Sequence, residues 1–245
     1  MRRAAAALAF LTRVPIEGVV RLDARDVARG AVFFPLVGAG VGAVTGLVAI
    51  GCAKVLPVFL AAVLAIAIEA VLTGGIHLDA LADLADSFGA RSRERALEIM
   101  REPAIGAFGA AALALDLLLK AGAITALLSE DGLLRVVVAA YAAGRAAPLI
   151  IGWALPYARA GEGSGRALVD EPLAWERVAG LAISAAFVFG LTGLRGFALA
   201  GGATAAMALV ALVAWRRLAG ATGDVLGAGI ELATLGALLA AVATS

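Results

Sequence analysis

The sequence predicts an all-α, polytopic integral membrane protein: a helical bundle of about seven transmembrane helices with an N-terminal interfacial helix. Of the 245 residues, 62% are hydrophobic, and the mean hydropathy is +0.99, far too apolar for a water-soluble domain. The apolar residues fall in runs near the roughly 20 residues that a bilayer core requires. Short polar segments rich in Arg, Gly and Pro separate these runs. Membrane lipids are therefore the first expected partner. A net charge of only +1 argues against nucleic acid. Cys52 stands alone, so it forms no intrachain disulfide.

The elements follow in order. Arg2-Arg3 and the apolar stretch from Ala4 to Leu11 look like the start of a signal peptide. Arg13 and Pro15 interrupt it before a cleavage site, which predicts an uncleaved interfacial helix. Arg21, Asp23, Arg25, Asp26 and Arg29 form a solvated stretch. Span one, from about Ala31 to Cys52, carries Gly38, Gly42 and Gly46 at every fourth position, a spacing that lets a neighbouring helix approach closely. Span two, about Pro57 to Thr73, contains Glu69, which needs a partner at that depth. Span three, Pro103 to about Leu128, has Asp116 and Lys120 at i, i+4 in the favourable acid-first order, which predicts a structural ion pair.

In span four, about Leu133 to Leu155, Arg145 stands three residues before Pro148, so a guanidinium is expected near a kink. A charge kept at that depth favours a functional role. The connection after it holds Gly161, Gly163 and Gly165, a pattern suited to a mobile loop that offers backbone N–H groups to an anion. Spans five, about Val178 to Leu194, and six, about Gly196 to Trp215, carry no chemistry. The segment from Gly220 through Thr222, Gly223 and Asp224 opens span seven, where Glu231 shares a face with Asp224. That face suits either metal binding or pairing with Arg145 or Lys120 across the bundle.

Between spans two and three lies the chain's only histidine, His77, followed by Asp79, Asp83 and Asp86. On a helix these acids fall at i, i+4 and i+7, on one stripe. No Lys or Arg lies three or four positions away to relieve their repulsion. A hard divalent cation shared with substrate phosphates meets that demand; the plainer alternative is a solvated face bridged to Arg91, Arg93 and Arg95. His77 is a candidate base if the helix begins at Leu78; if the helix includes it, an aspartate is the better base. Its plainer reading is a hydrogen-bonded interfacial residue.

The cations are distributed unequally. With the N-terminus inside, the inner segments hold six Arg before Gly30, four from Arg91 to Arg101, then Arg159, Arg166, Arg177, Arg216 and Arg217. The outer segments hold Lys54, Arg135 and Arg195. The positive-inside rule then places the N-terminus, the acid stripe, the glycine loop and Asp224 at the cytoplasmic face.

Gly74-Gly75-Ile76-His77-Leu78-Asp79 with Ala82-Asp83 and Asp86, then Arg93-Glu94-Arg95, Leu97 to Arg101 and Ile105-Gly106, resemble the cobalamin-5′-phosphate synthase (adenosylcobinamide-GDP ribazoletransferase) family. So do Phe10 to Pro15, Arg29-Gly30 with Phe34-Pro35, Ala143-Gly144-Arg145, Tyr157-Ala158-Arg159, and Thr222-Gly223-Asp224 through Gly227 and Glu231. The chain departs from that pattern at Ala80, Ser87, Glu102-Pro103-Ala104 and Ala221, positions that bear on substrate contacts.

The resemblance implies an Mg²⁺-dependent phosphotransferase of cobalamin biosynthesis. Such an enzyme joins adenosylcobinamide-GDP to α-ribazole, or α-ribazole 5′-phosphate, and releases GMP. It implies one catalytic domain over residues 1–245, in the inner membrane of a prokaryote, with a homo-oligomer left open. Asp79, Asp83, Asp86 and Asp224 are the expected metal ligands; His77, Asp79 and Asp83 are the expected catalytic groups. Arg101, Arg145 and Arg159, with Thr222 and Gly223, are expected to hold phosphate. Two rivals remain at this point: a CDP-alcohol phosphotransferase-like lipid enzyme, whose full signature is absent, and a secondary transporter, whose acids belong near the bilayer midplane in two related halves.

Overall fold

The computed structural model describes residues 2–15, 23–159, 161, 165–171 and 173–245; Arg21 and Gly163 lie outside the described residues. Among these the regular structure is helical, apart from an isolated parallel bridge between Tyr157 and Ala221.

Arg2–Leu11 (α1) buries Ala6, Ala7 and Leu11. It packs on Ala24–Gly30 (α2) and on Phe34–Cys52 (α3), with Phe10 stacked on Phe34 at 5.6 Å. A capping box between Asp23 and Asp26 starts α2, which runs through a 3-10 turn into α3. The first span therefore begins earlier than hydropathy suggests. Leu133–Gly144 (α8) lies against α3, and a Cβ on Gly42 would come within 2.8 Å of the Tyr141 Cβ. The glycines of α3 thus serve close packing, as their spacing predicts.

Val58–Thr73 (α4) and Ile76–Asp86 (α5) meet at Gly74 and Gly75, whose φ values are 65° and 67°. Two consecutive left-handed residues are tolerable only because neither carries a Cβ. They turn the chain by 92° between the helices. Arg93–Ile99 (α6) follows, then Ala107–Leu127 (α7). α8 stops at Gly144 and Ala147–Ala154 (α9) resumes around Pro148, whose missing N–H and ring clash with residue 144 explain the break. Arg145 sits at that break, as expected. The short Arg166–Asp170 (α10) and Ala174–Thr192 (α11) are tied to α9 by Arg177, whose Nη2 donates to Leu168 O at 3.0 Å and Gly152 O at 3.3 Å. Gly196–Leu218 (α12) and Gly223–Val242 (α13) complete the chain.

Among the described residues, five helices are long and apolar enough to cross a membrane, or six if the bent pair α4–α5 counts as one span. The expected seven is reached only if Ala174–Leu218 is divided at Gly193. Its 45 residues would extend about 67 Å as one helix, more than twice a hydrocarbon core. The spans are not equivalent. In α13 and in Leu133–Ala154, 72% and 78% of the span is buried, against 33% in α7 and 28% in Ala174–Leu218. The first two form the centre; the others turn Leu115, Leu118, Phe197 and Leu209 outward, as a lipid-facing surface requires.

The centre also holds charge. Lys120 (α7) pairs with Glu231 (α13), with Asp116 at 3.5 Å and with Glu69 (α4) at 3.8 Å. The Tyr141 hydroxyl donates to Glu69 Oε2 at 2.6 Å, and Arg145 reaches the same carboxylate at 4.0 Å. The i, i+4 pair of span three therefore exists, inside a larger network that supplies the partner Glu69 demands. Glu231 takes the cross-bundle alternative.

Candidate active site

The α4–α5 elbow sets the direction of α5. His77, Ala80 and Leu84 share its buried face, and His77 and Ala80 meet α13 where Gly227 leaves room; a Cβ there would stand 2.6 Å from the Ala80 Cβ. The opposite face presents Asp79, Asp83 and Asp86. Asp79 and Asp83 line a cavity of about 570 Å³ with Arg13, Gly74, Gly75 and Arg101.

Each expected site residue has a definite place. The Asp79 and Asp83 carboxylates make no ion pair or hydrogen bond among the described residues. Asp86 is committed: its carboxylate accepts Gly106 N–H at 2.7 Å and Gly109 N–H at 2.8 Å. These are free donors of the first turn of α7, where a negative charge is favoured. Asp224, in the first turn of α13, accepts from Arg159 Nη2 at 2.8 Å. Thr222 caps α13, its hydroxyl accepting Val225 N–H at 3.2 Å, and Gly223 is the first residue of that helix. Arg159 reaches Asp224 because its loop is pinned alongside the α13 approach. Ala158 N–H donates to Ala221 O, and Ala221 N–H to Pro156 O, both at 2.8 Å.

The acids are electrostatically one group. Asp224, Asp79 and Asp86 all lie near enough to Asp83 to repel its charge, and Arg159 lies near enough to attract it. The Arg segment does not neutralise them. Arg95 pairs with Glu98 and Glu102, Arg93 donates to Ala158 O at 3.0 Å, and Arg91 makes no ion pair with the stripe among the described residues. At the rim, burial pushes the Tyr157 hydroxyl above its ordinary pKa, with Arg159 opposing and Asp224 adding to the rise.

Two expected residues stand apart. Arg145 is fully buried between α3, α4 and α13, over the Tyr141 ring at 5.1 Å. It is a member of the internal charge network and does not line the acid cavity. His77 lies inside α5, which starts at Ile76. Two residues from Asp79 is about 200° around a helix, so it faces away from the acids. One residue went unassigned in the sequence: Arg13 lines the cavity, packed over Gly74. Its signal was present in the Phe10 to Pro15 motif, but as an interruption of an apolar run.

Among the described residues no three His, Cys, Asp or Glu side chains converge closely enough to hold a metal ion by themselves. The donor set fits a different mode. Mg²⁺ takes one or two carboxylates and completes its shell with water and substrate phosphate, and Asp79 and Asp83 are two carboxylates that, like Arg13 and Arg101 in the same cavity, have no ion-pair partner among the described residues.

Asp86 has a structural consequence that can be measured. Asp86→Ala strips the cap from α7 and is expected to lower stability by about 1–3 kcal/mol, read as a lower unfolding midpoint in detergent. Gly109→Ala is expected to act in the same direction, because its Cβ would run into the Asp86 carboxylate.

The chain is similar to known proteins over nearly its whole length. A family model described as cobalamin-5-phosphate synthase matches residues 3–242. An adenosylcobinamide-GDP ribazoletransferase from Citrobacter koseri is 38% identical over 240 residues, covering 96% of this chain and 97% of the relative. Another protein of that name, from Chlorobium chlorochromatii, is 40% identical over 233 residues, covering 92% and 90%. No solved structure matches significantly.

Proposed function

The chain belongs to the cobalamin-5-phosphate synthase family, and from that premise we propose that it is an adenosylcobinamide-GDP ribazoletransferase whose chemistry occurs in the cavity lined by Asp79 and Asp83. One observation carries the placement. Two carboxylates and two arginines, Arg13 and Arg101, border the same cavity, and among the described residues none of these side chains has an ion-pair partner. Opposite charges left apart in this way suit a ligand that carries both phosphate and a cation.

In the proposed reaction a hydroxyl of α-ribazole, or of its 5′-phosphate, attacks the phosphorus bearing the cobinamide. A new P–O bond forms, the bond to the bridging oxygen breaks, and GMP leaves with that oxygen. Arg13 and Arg101 hold diphosphate oxygens, for which guanidinium geometry is suited. A carboxylate of the stripe takes the hydroxyl proton, since His77 faces the other way. Asp79 and Asp83 would hold Mg²⁺, which when bound supplies charge neutralisation at the diphosphate and the departing GMP. Asp86 and Asp224 keep the stripe acidic while fixing α7 and the Arg159 loop. The product is adenosylcobalamin or its 5′-phosphate. The uneven Arg distribution supports an inner-membrane placement with the N-terminus and this cavity at the cytoplasmic face.

Protein reconstituted in lipid, given adenosylcobinamide-GDP and α-ribazole, is expected to release GMP only with both substrates and a divalent cation. Release that persists after chelation would remove the metal from the scheme. Absence of GMP under every condition would remove the reaction. Arg13→Ala is expected to raise KM for the GDP-bearing substrate about 10- to 100-fold, the effect of losing a charged hydrogen bond, with little change in KM for α-ribazole.

A further inference from the structure

A second cavity, of about 290 Å³, lies on the other flank of α5, between α1, α9 and α13. Phe10, Ala80, Pro148 and Ile230 give it apolar walls, and two polar groups, Asp224 and His77, also line it. Asp224 is already paired with Arg159. His77 is not: it is 4% exposed and its imidazole makes no hydrogen bond among the described residues. Its imidazole borders the cavity with no protein partner among the described residues, so a ligand seated there can complete its hydrogen bonding.

We propose that this cavity seats the heteroaromatic base of the nucleoside acceptor, with Phe10 against the ring and His77 hydrogen-bonded to a ring nitrogen. The assignment rests on the ribazoletransferase reading and adds to it where the second substrate binds. A benzimidazole is flat, neutral and apolar over most of its surface, with one free ring nitrogen, which matches apolar walls and a single imidazole. Guanine matches poorly: its several donors and acceptors would lie unsatisfied against Phe10, Pro148 and Ile230. The corrin ring is too large for the volume. Phe10 is held by its stack on Phe34 at 5.6 Å, so it is a fixed wall. Ile76 lines both cavities, so the proposed base site and the acid cavity are neighbours on the two flanks of α5.

The test uses the full-length protein in lipid and two readouts: steady-state GMP release, and titration of α-ribazole followed by its own fluorescence, which needs no turnover. His77→Leu is expected to raise KM and Kd for α-ribazole about tenfold, with KM for adenosylcobinamide-GDP within about twofold of wild type. His77→Gln, which keeps a hydrogen-bonding group, is expected to recover most of the loss. Ile230→Phe, which fills the cavity, is expected to weaken α-ribazole alone. The unchanged second KM shows that each variant is folded. A rise in KM for the GDP-bearing substrate instead would assign the cavity to guanine. A fall in kcat with both KM values unchanged would make His77 a proton carrier, and no effect on either substrate would leave the cavity to lipid; each of these overturns the proposal. If wild type releases no GMP the ribazoletransferase reading fails, and the fluorescence titration then decides separately whether His77 binds the base.

Discussion

Asp83→Asn is expected to lower kcat for GMP release by about 10²- to 10³-fold while leaving the unfolding midpoint unchanged or raised. The two halves of this outcome have separate causes. The Asp83 carboxylate makes no hydrogen bond or ion pair among the described residues, so an amide of the same shape removes no native hydrogen bond or ion pair. It also removes the repulsion that Asp224, Asp79 and Asp86 exert on the Asp83 carboxylate. Like charges held together with only Arg159 to oppose them are a cost to the fold, and relieving that cost without loss of structure marks a group kept for function. Activity falls because the amide cannot supply negative charge to a cation or accept a proton from the attacking hydroxyl. The checks are kcat and thermal denaturation on the same preparation. Full activity in Asp83→Asn would remove the acid cavity from the mechanism, and a large fall in midpoint would make Asp83 a structural residue after all. Asp86→Ala supplies the contrast, since there the primary loss is stability.

The stripe itself was legible because helical period and charge are both local: Asp79, Asp83 and Asp86 need only 3.6 residues per turn to line up. The same holds for Asp116 with Lys120, for the glycines of α3, and for the break that Pro148 imposes. What the sequence concealed depends on backbone choices that residue identity permits without compelling. Gly74 and Gly75 allow left-handed φ, but only the fold shows that both adopt it and turn α5 by 92°. That turn starts the helix at Ile76 and sends His77 to the opposite flank. Long-range pairing was concealed as well. The cost of burying Arg145 and Glu69 says that each needs a partner, but not that Tyr141, Thr234 and Lys120 provide it. Depth alone makes Arg145 read as functional; the fold adds that it joins the internal network, with its Nε and Nη2 making no hydrogen bond among the described residues. Asp86 was placed with its neighbours on the stripe, whereas twenty residues onward in the chain the free N–H groups of α7 claim it.

Lys120→Met is expected to destabilise the protein by about 3–5 kcal/mol, the usual consequence of removing one partner from a buried ionic group. Lys120 is wholly buried, and Glu231, Asp116 and Glu69 all depend on it. The Asp116 oxygens have no hydrogen bond of their own, so without the ammonium that carboxylate has nothing. Adding Glu231→Gln to Lys120→Met is expected to recover part of the loss, because one unpaired charge is removed with its partner. A double-mutant cycle on unfolding in detergent measures this coupling. Simple additivity would mean that Lys120 and Glu231 do not act as a pair. The effect should extend to activity for a geometric reason. The network joins α4, α7, α8 and α13, which respectively carry the elbow before α5, the N-terminus capped by Asp86, the break at Arg145, and Asp224. If the network relaxes, the elements that hold Asp79 and Asp83 opposite Arg13 and Arg101 lose their common anchor. The single variant is therefore expected to lose turnover even at temperatures where it remains folded, and the charge-balanced double variant to regain turnover together with stability.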